Sequence, residues 1–302
     1  MKALRFHQFG GPENLVLEDV ERPTPTADEV LVRVEACGLN FADTERRRGL
    51  YLADQPLPET LGFEGAGVVE GTNQRVAFIA PRAHAEFCVV PKDKLIPIPD
   101  QLDFVTAAAF PVQWLTAWHV LHTVARVKAG ERVLIHSAAG GVGQALTQLA
   151  REAGAHVIAS VSRDAKKAMV QGAHEVFTRG GPDGPTSNTV DVVLEGIGAD
   201  VLQHTLEVLA PFGRWVNFGT ASGELAALKA ESLFPKSLTF ASYWLRSPHP
   251  RDAWQRGITE VLERITSKKV KLEIQRGQLA EAARWHRRLE GGLTTGKVVL
   301  TF

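Results

Sequence analysis

The chain has 302 residues, which is enough for about two domains of ordinary size, so a single packed core is not expected. Lysine and arginine total 34 and aspartate and glutamate total 34, so no net charge attracts nucleic acid or an anionic membrane surface. Two cysteines exclude a disulfide framework and a cysteine zinc site, and no apolar stretch approaches a membrane span. Because the N-terminus also lacks a signal-peptide core, we expect a cytoplasmic protein without membrane insertion, whose partners are small molecules.

The pattern of residues 1–99 predicts a compact β-rich domain. Short alternating or apolar runs are separated at close intervals by glycine and proline, as in strands joined by turns. These runs are residues 30–34, 67–70, 75–79 and 86–90. Cys37 and Cys88 lie in such apolar surroundings, so we expect buried, inert thiols.

From Asp103 to about Ala125 the spacing of apolar residues is helical, and beyond it strands alternate with helices. This alternation predicts crossover units and a parallel sheet that is covered on both faces. The predicted strands are residues 132–136, 156–161, 175–177, 190–194, 213–218 and 238–242.

The tail from about Asp252 is predicted to form amphipathic helices, including residues 279–289, and then a last strand at 296–300. Because the tail has no sheet unit of its own, we expect it to return to the first domain. The predicted fold is therefore α/β, with a β-rich domain and a doubly wound parallel-sheet domain. The predicted boundaries are 1–113 with 242–302 for the first and 114–241 for the second.

The stretch from His136 to Gly143 is typical of a dinucleotide-binding turn, because an apolar strand leads into it and a helical pattern, residues 144–153, leads out. The spacing Ala138-x-Gly140-x-x-Gly143 permits a tight turn, close approach of a pyrophosphate and close packing of helix on strand. Free N–H groups at the helix start would face the phosphates. The alternative is a tight turn that binds no ligand. The cofactor-binding candidates here are Ala139, Gly140, Gly141, Val142 and Gly143.

The end of the second predicted strand favours NADPH over NADH. This strand usually ends in a carboxylate that binds the adenosine ribose, but here it ends in Ser160-Val161-Ser162. Cationic residues follow at once and suit a 2′-phosphate. Alternatively they form the solvated start of a helix, with Asp164 partly cancelling their charge. The cationic candidates are Arg163, Lys166, Lys167 and, after the third strand, Arg179.

The whole chain resembles the medium-chain dehydrogenase/reductase superfamily, specifically its zinc-free NADPH:quinone oxidoreductase branch, which includes the zeta-crystallins. The resemblance implies a GroES-like catalytic domain followed by a Rossmann cofactor domain. The motifs that carry it are residues 2–3 with 10–13, 36–43, 61–67, and 115–117 ahead of the turn at 138–143.

The positions that bind zinc in alcohol dehydrogenases of this superfamily hold other residues here. Asn40 stands where they have a cysteine, Phe63 where they have a histidine, and the third ligand's place falls near Val112. A catalytic zinc needs about three protein ligands, so we expect no metal. Without a Lewis acid the easier chemistry is hydride delivery to an electron-poor acceptor, so we expect reduction of a quinone by NADPH.

The resemblance also implies roles for individual residues. The amide of Asn40 would donate to a substrate carbonyl or to the nicotinamide ribose, Tyr51 would line the mouth of the active site, and Glu64 would brace the site from behind. Each has a structural alternative: a buried turn amide, a packing tyrosine and a local hydrogen-bond network. Glu45 replaces an active-site tyrosine of some relatives, and Gly291-Gly292 replaces a cofactor-contacting arginine, so substrate preference does not transfer from any one relative.

For the cofactor, the resemblance places Thr116 near the pyrophosphate, although it could instead bond to its own helix backbone. It places Ser162 and Lys166 in the 2′-phosphate pocket, with Arg179 replacing a tyrosine of the relatives. The segment predicted to lie beside the nicotinamide is Asn217, Phe218, Gly219 and Thr220.

Two other functions remain open from the sequence. An NADPH-dependent enoyl or alkenal reductase needs the same hydride and oxygen clamp, with a general acid in addition. A non-catalytic, crystallin-like NADPH-binding protein is the alternative from another class. His119 and His122 share a helical face but lack a third ligand, so we expect ordinary core or surface histidines there. The resemblance further implies a homodimer that forms through the edge strand near residues 238–243.

Overall fold

A computed structural model describes residues 1–224 and 226–302. The chain divides into two compact units. The β-rich unit comprises Met1–Val112 and Lys271–Phe302, and the parallel-sheet unit comprises Gln113–Val270. None of the described helices combines the length and the apolar composition that crossing a bilayer requires.

The strands run in chain order through both units. They are β1 Lys2–Phe6, β2 Leu15–Asp19, β3 Glu29–Leu39, β4 Glu59–Thr60, β5 Glu64–Val69, β6 Arg75–Ile79, β7 Phe87–Pro91, β8 Leu95–Pro97, β9 Arg132–Ile135, β10 His156–Val161, β11 Glu175–Thr178, β12 Val190–Glu195, β13 Leu209–Asn217, β14 Thr239–Ser242, β15 Ile274–Gln278 and β16 Lys297–Thr301.

Helices connect these strands. The α-helices are α1 Phe41–Arg48, α2 Phe104–Ala109, α3 Pro111–Trp118, α4 Gly141–Glu152, α5 Leu202–Val208, α6 Arg251–Thr266 and α7 Ala282–Glu290. A π-helix covers His119–Ala125, and short 3₁₀ helices cover Pro12–Asn14, Lys92–Lys94, Asp164–Met169, Ala199–Val201, Ala230–Lys236 and Leu279–Glu281.

The parallel-sheet unit is built on one sheet with the strand order β11-β10-β9-β12-β13-β14. Every neighbouring pair in it is parallel. If these six strands are numbered from 1 to 6 along the chain, their order in the sheet is 3-2-1-4-5-6, which is that of the doubly wound fold. The direction in which successive strands are added to the sheet reverses between β9 and β12. The apolar residues of the inner strands β9, β10 and β12 are buried, as expected for a sheet covered on both faces. This confirms the predicted Rossmann fold.

The β-rich unit contains a mostly antiparallel sheet with the order β15-β16-β3-β5-β6-β8, to which β7 adds by pairing with β3. A smaller sheet has the order β2-β1-β4. The long strand β3 is the centre of the larger sheet, because it pairs with β5, β7 and β16. Its pairing with β16 places the last strand of the chain in the β-rich unit.

The division of the tail differs from the sequence prediction. Residues 242–270 were predicted to join the β-rich domain, but the structure places them in the parallel-sheet unit. Helix α6 packs there, because the Trp118 indole N–H donates to Glu260 at 3.0 Å and Arg264 pairs with Glu152 at 2.9 Å. The amphipathic pattern of α6 shows that one face is buried, but it does not show against which partner.

Several elements also differ in their bounds or kind. Helix α4 begins at Gly141 rather than Gln144, so the last glycines of the turn form its first helical turn. The predicted helical segment 103–125 is divided between α2, α3 and the π-helix. Strand β15 was not predicted, because the sequence of Ile274–Gln278, IQRGQ, carries little apolar alternation.

Candidate active site

The turn between β9 and α4 brings backbone N–H groups together at the carboxyl edge of the parallel sheet. Ser137 adopts a positive φ of 53°, and its carbonyl accepts the Gly140 N–H at 2.9 Å. A Cβ on Gly143 would lie 2.3 Å from the Ser137 oxygen, so only glycine fits this close approach. Gly140 gives α4 no side-chain cap within the described residues, so the first-turn N–H groups are available to an anion.

Thr116 lies in α3 and is 7% exposed. One turn earlier on the same helix, Gln113 lies against the glycine turn, because a Cβ on Gly141 would be 1.7 Å from its Oε1. Residues three apart share a helix face, so Thr116 is on the face of α3 that covers this turn.

The predicted 2′-phosphate residues meet at the ends of two adjacent strands. The Arg179 N–H donates to the Val161 carbonyl at 2.9 Å, which places Arg179 beside the segment that begins with Ser162. Ser162 and Arg163 are exposed and Lys166 is half-buried. Burial, followed by the charge of Arg163, lowers the pKa of the Lys166 ammonium. A bound phosphate would relieve this like-charge repulsion.

Asp164 cancels part of the positive charge of this cluster, because it pairs with Lys167 at 2.7 Å. Its pKa lies below the usual range, chiefly through its hydrogen bond to Lys167. Of the four cationic candidates, Lys167 is therefore the one that pairs with Asp164.

His136 precedes the glycine turn as a neutral, buried imidazole. Its Nδ1 is 2.7 Å from the Ser160 hydroxyl, and Ser160 also accepts the Ala138 N–H through its carbonyl at 2.9 Å. Burial lowers the pKa of His136 to about 3, helped by His204 and Arg179. The imidazole therefore fixes the ends of β9 and β10 without adding a charge beside the predicted phosphate-binding residues.

The third part of this edge is the segment after β13, which a buried glutamate holds. Glu195, at the end of β12, is 0% exposed. Its Oε1 accepts Asn217 Nδ2 at 2.5 Å and the Trp215 indole N–H at 3.2 Å. Its Oε2 accepts the backbone N–H groups of Ile197 and Gly198, at 2.6 and 2.9 Å.

Asn217 Nδ2 also donates to the Gly219 carbonyl at 2.9 Å, and the ring of Phe218 lies against Gly196, where a Cβ would be 2.7 Å from its Cε2. Phe218, Gly219 and Thr220 are half-buried at the end of β13. Glu195 thus shapes the predicted nicotinamide segment, although it is not among the site residues predicted from the sequence. The carboxylate lies at the carboxyl end of a buried strand, a signal that could have found it.

In the β-rich unit, Asn40 and Glu64 meet a third residue that the sequence analysis missed. Asn40 Nδ2 donates to Glu64 Oε1 at 2.7 Å, and Lys297 Nζ donates to Asn40 Oδ1 at 2.7 Å. Lys297 also forms an ion pair with Glu64 Oε1. Glu64 Oε2 accepts the Val112 N–H at 2.7 Å. All three side chains are buried, with exposed fractions of 5%, 0% and 2% for Asn40, Glu64 and Lys297.

The surrounding backbone is held by a second buried carboxylate. Asp43 accepts the Asn40 N–H at 2.8 Å and the Gly62 N–H at 3.2 Å, and burial raises its pKa. His84 Nε2 is 3.0 Å from the Gly38 carbonyl. These contacts fix the start of α1 and therefore the position of Asn40.

Tyr51 lies in the loop after α1, half-buried, with its ring edge-on to Phe63 at a centroid distance of 5.8 Å. The structure thus places Tyr51 beside Phe63, the residue at the position of a zinc-binding histidine in the related alcohol dehydrogenases. Among the described residues, no group of three or more histidine, cysteine, aspartate or glutamate side chains is arranged to hold a metal ion.

The cysteines and the paired histidines are where the sequence predicted. Cys37 and Cys88 are buried, and burial raises the pKa of both thiols, to about 12 for Cys88. His119 is a core residue stacked on Trp254, and burial, with the charges of His249 and His122, lowers its pKa to about 4.

Known proteins resemble the chain over both units. Residues 26–81 match the family of alcohol dehydrogenase GroES-like domains, and residues 141–264 match the zinc-binding dehydrogenase family. A quinone oxidoreductase of Pseudomonas aeruginosa is 36% identical over 326 residues, covering 99% of each chain. The crystal structure of Escherichia coli quinone oxidoreductase complexed with NADPH superposes with a TM-score of 0.94 at 29% identity, covering 100% of each chain. A 2-haloacrylate reductase of Burkholderia is 36% identical over 73% of this chain and 74% of its own.

The GroES-like and Rossmann units, with a glycine turn at the sheet edge, define an oxidoreductase of the medium-chain dehydrogenase/reductase superfamily. Within that superfamily, the chain belongs to the quinone oxidoreductase family. The resemblance inferred from the sequence motifs is confirmed.

Proposed function

We propose that this protein is a zinc-independent oxidoreductase that transfers a hydride from NADPH to a quinone. The observation that carries the proposal is the Asn40 amide, which stands at a zinc-ligand position of related dehydrogenases and is buried against Glu64 and Lys297. The names of the Pseudomonas and Escherichia coli relatives support the same activity.

The residues of the parallel-sheet unit fit NADPH. The N–H groups at the start of α4 would hold the pyrophosphate, with Thr116 beside them. The 2′-phosphate would be held through charge-assisted hydrogen bonds by three cations, Arg163, Lys166 and Arg179, and by the Ser162 hydroxyl.

The segment Asn217 to Thr220 would lie beside the nicotinamide. The other turn residues proposed to contact the cofactor are Ala139, Gly140, Gly141, Val142 and Gly143. Bound NADPH supplies the hydride.

The β-rich unit would hold the acceptor. We assign Asn40 as the donor to a quinone oxygen, Tyr51 as a ring that can stack on a flat acceptor, and Glu64 as the brace behind Asn40. One hydride from NADPH and one proton from solvent convert the quinone to a hydroquinone and leave NADP⁺.

Zinc-independence is supported by the chemistry of the side chains at the zinc-ligand positions. Asn40 Oδ1, its ligating atom, accepts from the Lys297 ammonium at 2.7 Å, and the Phe63 ring has no lone pair to offer. The Lys297 ammonium also pairs with Glu64, so this carboxylate already has a positive charge beside it. The expected measurement is full activity after dialysis against a chelator.

A second candidate function is reduction of an activated carbon–carbon double bond. It is favoured by the identity to the 2-haloacrylate reductase, which covers less of the chain than the match to the Pseudomonas protein. The same NADPH site and Asn40 donor would serve an enone, with the hydride going to carbon.

We further propose a cytoplasmic homodimer that associates through β14. This strand is at an edge of the parallel sheet, and Phe234, Phe240 and Trp244 near it are 77%, 39% and 46% exposed. Unpaired edge strands with apolar side chains favour association. Light scattering should give twice the chain mass of 32.9 kDa, and Phe240→Lys should shift the protein towards monomer.

The test of the proposed activity is NADPH consumption, followed by absorbance, with an o-quinone and an α,β-unsaturated carbonyl as parallel acceptors. We expect faster turnover of the quinone. Preference for the enone would support the double-bond reductase, and no turnover of either despite tight NADPH binding would support a non-catalytic protein.

A further inference from the structure

Lys297 is a buried lysine whose side chain reaches Asn40, the residue proposed to donate a hydrogen bond to the quinone. The register of β16 and β3 pairs Val298 with Leu39, so Lys297 comes opposite Asn40. Gly38 makes room for the pair, because a Cβ there would lie 2.6 Å from Glu64 Oε1 and 2.7 Å from Lys297 Cε. The sheet is therefore built to admit an ammonium group at this position.

The hydrogen bonds of the Asn40 amide have one chemically consistent assignment. An ammonium group only donates, so the amide atom 2.7 Å from Lys297 Nζ is the oxygen. An ionised carboxylate only accepts, so the atom 2.7 Å from Glu64 Oε1 is the nitrogen. Reversing the amide would place NH₂ against NH₃⁺ and oxygen against carboxylate, so Lys297 and Glu64 together fix its orientation.

The same contacts change what Asn40 can do for a ligand. The ammonium on Oδ1 draws electron density from the amide, which strengthens the remaining Nδ2–H as a donor and weakens the oxygen as an acceptor. A donor of this kind binds a carbonyl oxygen, and binds it more tightly as negative charge develops there during hydride transfer.

We infer that Lys297 is a positioning residue that orients and polarises the Asn40 amide, so that the site takes acceptors through a carbonyl oxygen. This inference rests on the proposed function for its substrate and deepens it: quinones and enones share the required oxygen. Alcohols, which would need an acceptor for their O–H, do not suit the site.

The first test is a set of variants whose kcat and KM for the quinone are measured with their Kd for NADPH. We expect Lys297→Met to lower kcat by roughly tenfold, less than the ~100-fold loss from deleting an oxyanion donor outright as in Asn40→Ala. Lys297→Arg, which keeps the charge and the donors, should restore much of the loss. The Kd for NADPH should stay unchanged in all of them. Lys2→Met, which removes an exposed ion pair with Asp19, is the control and should leave kcat unchanged.

A double variant separates a polarising role from a structural one. Lys297→Met alone leaves the Glu64 carboxylate buried without its cation, and this can disturb the fold. In Glu64→Gln with Lys297→Met, both charges are removed and no buried charge is left uncompensated. Because Glu64 also holds Asn40, the reference for kcat is Glu64→Gln alone. If Lys297 only neutralises Glu64, the double variant will have a kcat no lower than that of Glu64→Gln, which would overturn the inference. We expect its kcat to be lower than that of Glu64→Gln while its melting temperature returns towards that of the wild type.

A second readout does not depend on turnover. In protein labelled with ¹⁵N-asparagine, the Asn40 side-chain N–H resonances, assigned through Asn40→Asp, should move upfield in both Lys297→Met and the double variant. Unchanged resonances would overturn the inference. If the wild type turns over neither acceptor, the proposed function fails, but the shift of these resonances still tests the action of Lys297 on Asn40.

Discussion

Two buried glutamates, one in each unit, hold an asparagine amide in different ways. Glu64 binds Asn40 and has a cationic partner in Lys297. Glu195 binds Asn217 and otherwise has neutral donors, which are two backbone N–H groups and an indole. The first carboxylate belongs to a charge-balanced pair, whereas the second is stabilised by fixed dipoles.

This difference teaches what each carboxylate contributes. Glu64 and Lys297 together set the orientation and the electronic character of one side chain. Glu195 instead sets the path of two backbone segments, because its partners lie in β13 and in the loop that follows β12. A charge-balanced pair can be removed as a pair, but a carboxylate stabilised by several dipoles has no single partner whose removal compensates for its loss.

The largest expected effect is on stability. Glu64→Gln should lower the free energy of unfolding by roughly 3 kcal/mol, because it leaves Lys297 buried without a counter-charge. Adding Lys297→Met should recover most of that loss in urea denaturation. Glu195→Gln also lowers stability, because it places an NH₂ group against existing donors. Adding Trp215→Phe, which removes one of these donors, should not recover the lost stability. Equal rescue in the two cases would contradict the comparison.

The next effect concerns the cationic residues of the parallel-sheet unit that are proposed to bind the 2′-phosphate. Replacing Arg163 and Lys166 together by alanine should weaken NADPH binding by ~100-fold, because two charge-assisted hydrogen bonds are lost. NADH, which lacks the 2′-phosphate, should bind as before. The matched control is Lys167→Ala, which removes a cation already paired with Asp164. Titration of intrinsic fluorescence gives each Kd, and an equal loss for both cofactors would place the 2′-phosphate elsewhere.

A smaller effect tests the close backbone approach at the glycine turn. Gly143→Ala would put a Cβ 2.3 Å from the Ser137 oxygen and should lower the free energy of unfolding by roughly 2 kcal/mol. Gly140→Ala is the control for stability, since its Cβ would be 3.2 Å from the same oxygen and its φ is −79°. If both variants unfold at the same urea concentration, steric crowding does not explain the glycine at position 143.

The last effect, which is absent near neutral pH, is the pH dependence from buried neutral histidines. In the unfolded chain an imidazole binds a proton near pH 6.5, whereas folded His119 does so only near pH 4 and His136 near pH 3. Between these folded-state pKa values and pH 6.5, the unfolded state therefore binds more protons than the folded state. Stability is full above about pH 6.5 and falls on acidification, by at most about 1.4 kcal/mol per pH unit for each histidine.

Urea denaturation at several pH values checks this prediction with His119→Gln. We expect a shallower loss of stability between pH 6.5 and 4.5 in the variant than in the wild type. Equal slopes would show that His119 is not the titrating group.

The sequence selects more of the residues of the proposed cofactor site than of the proposed acceptor site, for a physical reason. The glycine turn and the cationic residues are contiguous in the chain, and their spacing reports the local backbone that they require. The acceptor site joins residues 40, 64 and 297, which only strand pairing brings together. Lys297 therefore looks like any polar residue at the start of a strand until the register is known.

The domain boundary shows the same limit. The amphipathic pattern of α6 predicts a helix with one buried face, but the choice of unit depends on long-range contacts such as Trp118 with Glu260. Propensity and periodicity contain no information about these partners.

The most direct measurement of the proposed function is a single-turnover experiment with enzyme in excess over NADPH. The complex is mixed rapidly with an o-quinone, and the reduced nicotinamide absorbance and the hydroquinone are followed together. We predict that one hydroquinone forms for each NADPH oxidised, at a rate that falls strongly in Asn40→Ala. Bound NADPH that persists unchanged in the presence of quinone would contradict the account.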